Sequence, residues 1–218
     1  MIPLFHDFTD ATVLVFGGGP VGARKARRFA REATVIVVSP AFADDEFGAS
    51  ELVRSAPTPA EIPAWLERHR PALVVAATDD EAVNDAVVSA ARERGILVNR
   101  ADRAGGRDPG SVVVPATVEE PPVTVAIGTG GTAPALSRYL RKDLEESLEG
   151  AGEMATVVAE LRRKLKARGV EPDRRREIVT DVVNSSSVWT ALRTGTTNCQ
   201  QVIEDVLENE QVFGGESA

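Results

Sequence analysis

The sequence is poor in the residues that build several common kinds of site. It has one cysteine, Cys199, and two histidines, His6 and His69, among 218 residues. A single cysteine excludes an internal disulfide, and so few soft ligands disfavour a zinc site built by the chain alone. We therefore predict no protein-bound metal. The single tyrosine, Tyr139, lacks a lysine four positions on, so the Tyr-x-x-x-Lys pair of short-chain dehydrogenases is absent.

Long apolar runs and an excess of positive charge are also missing. No stretch reaches the ~20 apolar residues that cross a bilayer. The first ten residues show no basic start followed by an apolar run, so we expect no secretory signal. The net charge of −8 argues against a general nucleic-acid binder, because such proteins present a basic face. We expect a cytoplasmic protein that binds neither membranes nor nucleic acids.

Apolar runs and helix-like segments alternate over the first half of the chain. The apolar runs predict strands at 12–16, 35–38, 73–77 and 96–98. The segments between them predict helices at 21–31, 61–69 and 81–94. Strands that are apolar throughout suit a parallel sheet covered on both faces. The predicted fold class is α/β, with a Rossmann-type doubly wound parallel sheet.

The second half of the chain has a different pattern. Strand-like runs at 111–114 and 124–127 precede predicted helices at 135–148, 153–167, 173–183 and 200–210. We divide the chain into a Rossmann-type domain (1–110), a small mixed α/β dimerisation and substrate portion (111–149), and a helical C-terminal region (150–218). The helical region shows few large apolar residues. We expect it to cover a site or support a dimer rather than fold alone.

The first predicted strand runs directly into a glycine-rich turn, GGGPVG. Gly17, Gly19 and Gly22 fit G-x-G-x-x-G between a strand and a helix, the context in which this motif binds a dinucleotide. The first glycine permits the tight turn, the second admits the pyrophosphate, and the third lets helix and strand pack closely. The N-terminus of the helix supplies N–H donors for phosphate. A merely structural tight turn is the alternative interpretation.

The motif alone does not choose between NAD and NADP. NAD-binding sheets usually carry a carboxylate at the end of the second strand. Here that strand ends in Ser39 and Pro40, with no acidic residue before Asp44 and no arginine to meet a 2′-phosphate.

Ligands of such sheets bind beyond the carboxyl ends of the strands. Those ends are predicted at 17–19, 39–40, 78–80 and 99–102, and we expect them to converge on one crevice. Asp102 follows the fourth strand, where a carboxylate could act as general base. A turn or helix-cap aspartate is the alternative.

A second strand, glycine turn and helix follow in VAIGTGGTAPALSRYL. Gly128, Gly130 and Gly131 would let the backbone approach a ligand, and Thr129 and Thr132 offer hydroxyls. An anion would gain from the donors and dipole of the following helix, so we expect ligand contact here. A helix cap at Thr132 is the alternative.

Three stretches together resemble one family. They are IPLFHDFTDATVLVFGGGPVGARKARRFA, VVAATDDEAVNDAVVSAARERGILVNRAD and PPVTVAIGTGGTAPALSRYLRKDLE, spread over the first 145 of 218 residues. Their order and spacing are similar to those of the siroheme synthase family of precorrin-2 dehydrogenases, some of which are also sirohydrochlorin ferrochelatases. The resemblance implies NAD-dependent dehydrogenation of precorrin-2 to sirohydrochlorin in siroheme biosynthesis. It leaves insertion of Fe²⁺ as a substrate open. The low apolar content of the helical region separately leads us to expect a homodimer.

The resemblance also assigns residues to roles. It implies Asp102 as the catalytic residue. It implies cofactor contacts by Pro20, Val21, Pro40, Thr78 and Asp79, and the glycine motif and the strand end add Gly17, Gly18, Gly19 and Ser39 to the expected cofactor site. The resemblance implies that Thr129 lies near the tetrapyrrole, and the second glycine turn and the residues beside Asp102 add Gly130, Gly131, Asn99, Arg100 and Arg103 to the expected substrate site. Precorrin-2 is a polycarboxylate, so an acidic chain must meet it with local positive potential, and the arginines near Asp102 are candidates for carboxylate docking.

Two departures from the family pattern affect the substrate side. The segment between Asp102 and Ser111 is longer and richer in glycine than expected, and VVVPATV lacks an aromatic residue and a serine that many members carry near that proline. Two other functions stay open from the residues themselves. One is a regulatory module that senses redox state by binding NAD(H), for which Asp102 is not needed. The other is a tetrapyrrole chelatase without hydride transfer.

Overall fold

The computed structural model describes residues 2–101, 110–195 and 198–213, with side chains described up to residue 208. The chain divides into two compact units, Met1–Val114 and Pro115–Ala218. The division of the sequence into 1–110, 111–149 and 150–218 stays a prediction. Among the described residues, none of the helices has the length and apolar character that crossing a membrane requires.

The first unit is built on a five-stranded parallel sheet. Its strands are β1 (Thr12–Phe16), β2 (Thr34–Ser39), β3 (Glu51–Arg54), β4 (Leu73–Ala76) and β5 (Leu97–Arg100), in the order β3-β2-β1-β4-β5. Its helices are α1 (Pro20–Phe29), α2 (Ile62–His69) and α3 (Glu81–Glu93), and a 3₁₀ turn, Pro59–Glu61, precedes α2. The predicted doubly wound α/β fold is confirmed.

Alternate side chains of the central strand pack into two different clusters. Leu14 and Phe16 join a cluster with buried residues of α2 and α3, whereas Val13 and Val15 join one with Ala23 of α1. All four β1 residues are fully buried. This two-sided burial explains why the strand is apolar throughout instead of alternating.

Two features of the first unit differ from the sequence prediction. The edge strand β3 was missed, because three of its four residues are exposed and give no apolar signal. The predicted strand at 111–114 is wrong. Only Ser111 pairs, in an isolated bridge with Val98, and the N–H of Val112 donates one hydrogen bond to the carbonyl oxygen of Val98. Pro115 follows at once and has no N–H with which to continue a ladder.

The second unit begins with an antiparallel hairpin and continues as helices. Its elements are β6 (Ala116–Glu120), β7 (Val123–Ile127), α4 (Pro134–Ser147), α5 (Ala151–Ala167), α6 (Pro172–Asn184), α7 (Ser186–Thr194) and α8 (Cys199–Phe213). The sequence prediction missed β6 and α7. Helix α7 has nine residues and buries only Leu192, so its apolar segment is short.

The helical part of the second unit has an apolar core of its own. Ten buried side chains form it: Met154, Val157, Leu161, Leu165, Ile178, Val182, Leu192, Val202, Ile203 and Leu207. The expectation of few large apolar residues is therefore corrected. The residues are spaced three and four apart along several helices, which makes them inconspicuous in the sequence but adjacent after folding.

Candidate active site

The strand order places a crevice at the carboxyl end of the sheet. From β1 the chain moves outward to β2 and β3, and then returns to the other side of β1 with β4 and β5. Ligands of open α/β sheets bind where the winding reverses in this way. A cavity of about 1020 Å³ lies at this point. Its walls include residues 16–21, 38–41, 56–59, 77–81, 83, 84 and 101.

Two of the motif glycines are needed for packing. Gly17 has φ +117°, and a Cβ there would lie 2.2 Å from the carbonyl oxygen of Ala77. A Cβ on Gly22 would lie 1.9 Å from the carbonyl oxygen of Gly17. No side chain fits at either position, so these glycines let β1, α1 and the segment after β4 approach one another.

Gly19 has a different environment. Its backbone is extended, with φ −77° and ψ −178°, and it precedes the first residue of α1. No atom of the described residues lies within 4 Å of the position that a Cβ would take. The first N–H groups of a helix have no partner within the helix. The space at Gly19 and these donors fit the pyrophosphate of a dinucleotide, so the residues present suit NAD.

An arginine of β3 that the sequence did not predict lies beside the end of β2. Ser39 is buried, and its hydroxyl donates to the carbonyl oxygen of Ala41 at 2.6 Å. The parallel register of β2 and β3 places Arg54 opposite Ser39. Arg54 donates from Nη1 to the carbonyl oxygen of Pro40 at 3.1 Å, and its guanidinium lies 5.7 Å from the centre of the Phe42 ring. No local signal could have shown this, because β3 itself was not predicted.

The turn after β4 is fixed by side-chain hydrogen bonds. Asp80 caps α3, since its Oδ1 accepts from the backbone N–H of Ala82 at 2.8 Å and of Val83 at 3.2 Å. Asn84 bonds to Thr78 at the start of the turn. Thr78 and Asp79, both predicted cofactor residues, line the cavity.

Asn99 and Arg100 lie within β5, not after it as the sequence analysis expected. Asn99 is 5% exposed, and its Nδ2 donates to the carbonyl oxygen of Val112 at 2.7 Å. Its Oδ1 is buried without a hydrogen-bond partner among the described residues. The guanidinium of Arg100 pairs with Asp85 and lies 4.0 Å from Glu81, both on α3. Substrate binding by Asn99 and Arg100 stays a prediction.

Other predicted site residues lie elsewhere. Asp102 and Arg103 fall outside the described residues. Thr129, Gly130 and Gly131 belong to the second unit, where Thr129 Oγ1 is 2.8 Å from Ser137 Oγ. The alternative cap at Thr132 is wrong, because Ala133 precedes the first residue of α4 and Thr132 Oγ1 donates to the carbonyl oxygen of Thr129 instead.

The first helix adds positive charge next to the glycine turn. Burial lowers the pKa of Lys25 from 10.5 to about 8, and repulsion from Arg24 and Arg28 contributes to the shift. In the described part of the chain, no three His, Cys, Asp or Glu side chains gather where they could hold a metal ion.

Comparison with known proteins agrees with this geometry. Residues 4–116 match the family described as NAD(P)-binding. A precorrin-2 dehydrogenase of Methanosarcina barkeri (strain Fusaro) is 32% identical over 197 residues, which cover 86% of this chain and 85% of that protein. The chain belongs to the precorrin-2 dehydrogenase family. The resemblance seen in the sequence is thereby confirmed.

The family also includes longer proteins and a solved structure. Siroheme synthase 2 of Pectobacterium atrosepticum is 36% identical over 183 residues, which cover 80% of this chain but 38% of that protein. The chain thus spans less than two-fifths of the length of that relative. The structure of SirC, a precorrin-2 dehydrogenase, has a TM-score of 0.66 at 23% identity and covers 94% of this chain and 100% of its own. That likeness supports the fold.

Proposed function

We propose that this protein dehydrogenates precorrin-2 to sirohydrochlorin with NAD⁺ as the hydride acceptor. The observation that carries the proposal is the crevice between β1 and β4, open at Gly19 and facing the first turn of α1. Membership of a family with an NAD(P)-binding domain supports the cofactor. The name of the Methanosarcina relative supports the reaction.

The residues of the crevice have distinct tasks in holding the dinucleotide. The backbone of Gly19 and the first N–H groups of α1 would bind the pyrophosphate. Pro20 and Val21 line the same wall, and Thr78 and Asp79 line the cavity beyond β4. Ser39 and Pro40 line it at the end of β2. When bound there, NAD⁺ supplies a nicotinamide ring that accepts the hydride.

The substrate must also lose a proton. Precorrin-2 gives one hydride and one proton, so the products are sirohydrochlorin, NADH and H⁺. We assign the proton to Asp102. Ala101 lines the cavity, and its N–H donates to the carbonyl oxygen of Ala76 at 2.8 Å. Ala101, the residue before Asp102 in the sequence, thus lines the crevice, which supports a carboxylate acting from this part of the chain. Arg103, next to Asp102 in the sequence, would attract the carboxylates of the substrate, and Arg100 would do so by exchanging its pair with Asp85 for a substrate carboxylate.

An anaerobic assay tests the reaction and its base together. Purified protein is mixed with precorrin-2 and NAD⁺, and the sirohydrochlorin and NADH spectra are followed. Asp102→Ala should lower kcat by about 10²–10⁴-fold, the usual contribution of a general base, while the Kd for NAD⁺ stays unchanged. Asp45→Ala is the control, because Asp45 is an exposed aspartate of the same unit. Turnover of Asp102→Ala at the parental rate would refute the assignment. NAD⁺ binding without turnover by the parent would favour the redox sensor.

Two further parts of the proposal concern partners. Fe²⁺ as a second substrate is tested by adding it to the sirohydrochlorin formed and following siroheme. The homodimer is supported by α4, in which no residue is buried and Leu136 and Tyr139 are 48% and 67% exposed. An amphipathic helix with its apolar residues exposed is typical of an association surface. Sedimentation of the protein over a range of concentrations measures whether it is a dimer.

A further inference from the structure

Asn84 is a buried polar residue that neither the motif nor the proposed chemistry uses. It lies in the first turn of α3 and is 1% exposed. Its side chain bonds to both backbone groups of Thr78: Oδ1 accepts from the N–H at 3.2 Å, and Nδ2 donates to the carbonyl oxygen at 2.9 Å. Oδ1 is also 2.8 Å from the hydroxyl of Thr78.

These bonds define the orientation of the amide. The N–H of Thr78 can only donate, so the atom facing it must be the amide oxygen, and the carbonyl of Thr78 can only accept, so the atom facing it must be the nitrogen. A carboxylate would leave the carbonyl oxygen of Thr78 without its donor, and an apolar group of the same shape would leave both backbone groups of Thr78 without a partner. Such a loss is costly because the group cannot reach water instead.

The residue that Asn84 holds forms part of the cofactor crevice. Thr78 lines the cavity, and its backbone nitrogen would be 3.0 Å from a Cβ on Gly17. The carbonyl of Ala77, one residue before, would be still closer, at 2.2 Å. The turn therefore packs directly on the glycine loop. A shift of Thr78 would change the wall of the crevice beside the glycine loop.

We propose that Asn84 is a positioning residue for the dinucleotide, acting through Thr78. Asn84 keeps the turn after β4 in the binding conformation before the cofactor arrives. The dinucleotide then binds without the entropy cost of ordering that turn. Helix capping does not explain Asn84, since Asp80 provides the cap through Ala82 and Val83. The inference rests on the proposed dinucleotide site but not on the identity of the substrate.

Asn84→Asp tests the inference with the smallest change of shape. The carboxylate still accepts from the N–H of Thr78 but faces its carbonyl oxygen without a donor. We expect the Kd for NAD⁺ to rise about tenfold, because ordering even one backbone residue on binding costs that much. Isothermal titration well below the unfolding temperature measures it. Asn84→Ser, which leaves room for water, serves as a second variant if the first does not fold.

Val87→Ala is the matched control for stability. Val87 is fully buried on the same helix and belongs to the apolar cluster beneath the sheet. Its truncation should destabilise the protein while the Kd stays within about twofold of the parent, because it makes no bond to the turn. Loss of affinity in Val87→Ala as large as in Asn84→Asp would show that general loosening is responsible, and would overturn the inference.

Hydrogen exchange gives a readout without cofactor. The amide of Thr78 should exchange more slowly in the parent than in Asn84→Ser, which removes the acceptor of that N–H. Val87→Ala should leave the exchange rate of Thr78 relative to its neighbours as it is in the parent. An Asn84 variant that binds NAD⁺ as tightly as the parent refutes the positioning role and leaves the proposed function intact. A parent that binds NAD⁺ but does not oxidise precorrin-2 refutes the proposed function and leaves the positioning role of Asn84 intact.

Discussion

Alanine at two glycines of the same loop should produce two different defects. Gly19 and Gly22 are three residues apart, and both belong to the G-x-G-x-x-G motif. A Cβ on Gly19 meets no described atom within 4 Å, whereas one on Gly22 would lie 1.9 Å from the carbonyl oxygen of Gly17. The first substitution therefore fills the space for the cofactor, and the second disrupts the packing of α1 on β1.

The expected magnitudes follow from these distances. Gly19 has φ −77°, which alanine adopts without strain, so Gly19→Ala should change the free energy of unfolding by no more than about 0.5–1 kcal/mol. Its Kd for NAD⁺ should rise about 10–100-fold, because the methyl group stands where the backbone meets the pyrophosphate. Gly22→Ala overpacks backbone against backbone and should cost about 3 kcal/mol or more. At about 2–4 °C for each kcal/mol, its Tm should fall by roughly 6–12 °C.

Calorimetric melting and titration with NAD⁺ separate the two outcomes. Each variant is the control for the other, since the chemical change is identical. If Gly19→Ala binds NAD⁺ with the affinity of the parent, the pyrophosphate does not approach Gly19 and the proposed pose is refuted. If Gly22→Ala melts at the temperature of the parent, the loop relaxes and the packing argument fails.

Two further predictions concern stability. The pKa of Lys25 is lowered to about 8, chiefly by burial, so the unfolded chain holds this proton more tightly than the folded protein. The resulting penalty on the folded state is complete below pH 8 and disappears as the pH rises towards 10.5. Lys25→Met removes the charge and should therefore raise the free energy of unfolding by about 1–3 kcal/mol at pH 7. Urea denaturation at several pH values should show that this difference shrinks between pH 8 and 10.5. Asp80→Ala removes the cap of α3 and should cost about 1 kcal/mol, whereas Asp80→Asn should keep most of it. An equal Tm for the parent and Asp80→Ala would contradict the capping role.

The sequence by itself determined the first βα unit and the position of the crevice. Strand β1 matches its predicted bounds because a short run of fully buried residues carries an unbroken apolar signal. The glycine spacing is a local property of the chain, and the start of α1 at Pro20 lies one residue before the predicted start at 21. The same motifs, taken in order, also carried the resemblance that the comparisons confirm. Local signals were sufficient wherever neighbours in the sequence are neighbours in space.

Only the tertiary structure decided which distant residues contact the residues that line the crevice. Arg54 reaches Pro40 because β3 pairs with β2, and its strand gave no signal of its own at an exposed edge. Such contacts depend on strand order and helix direction, which composition and periodicity do not encode. The helical core of the second unit was missed for the same reason, since its apolar residues come together only when several helices pack.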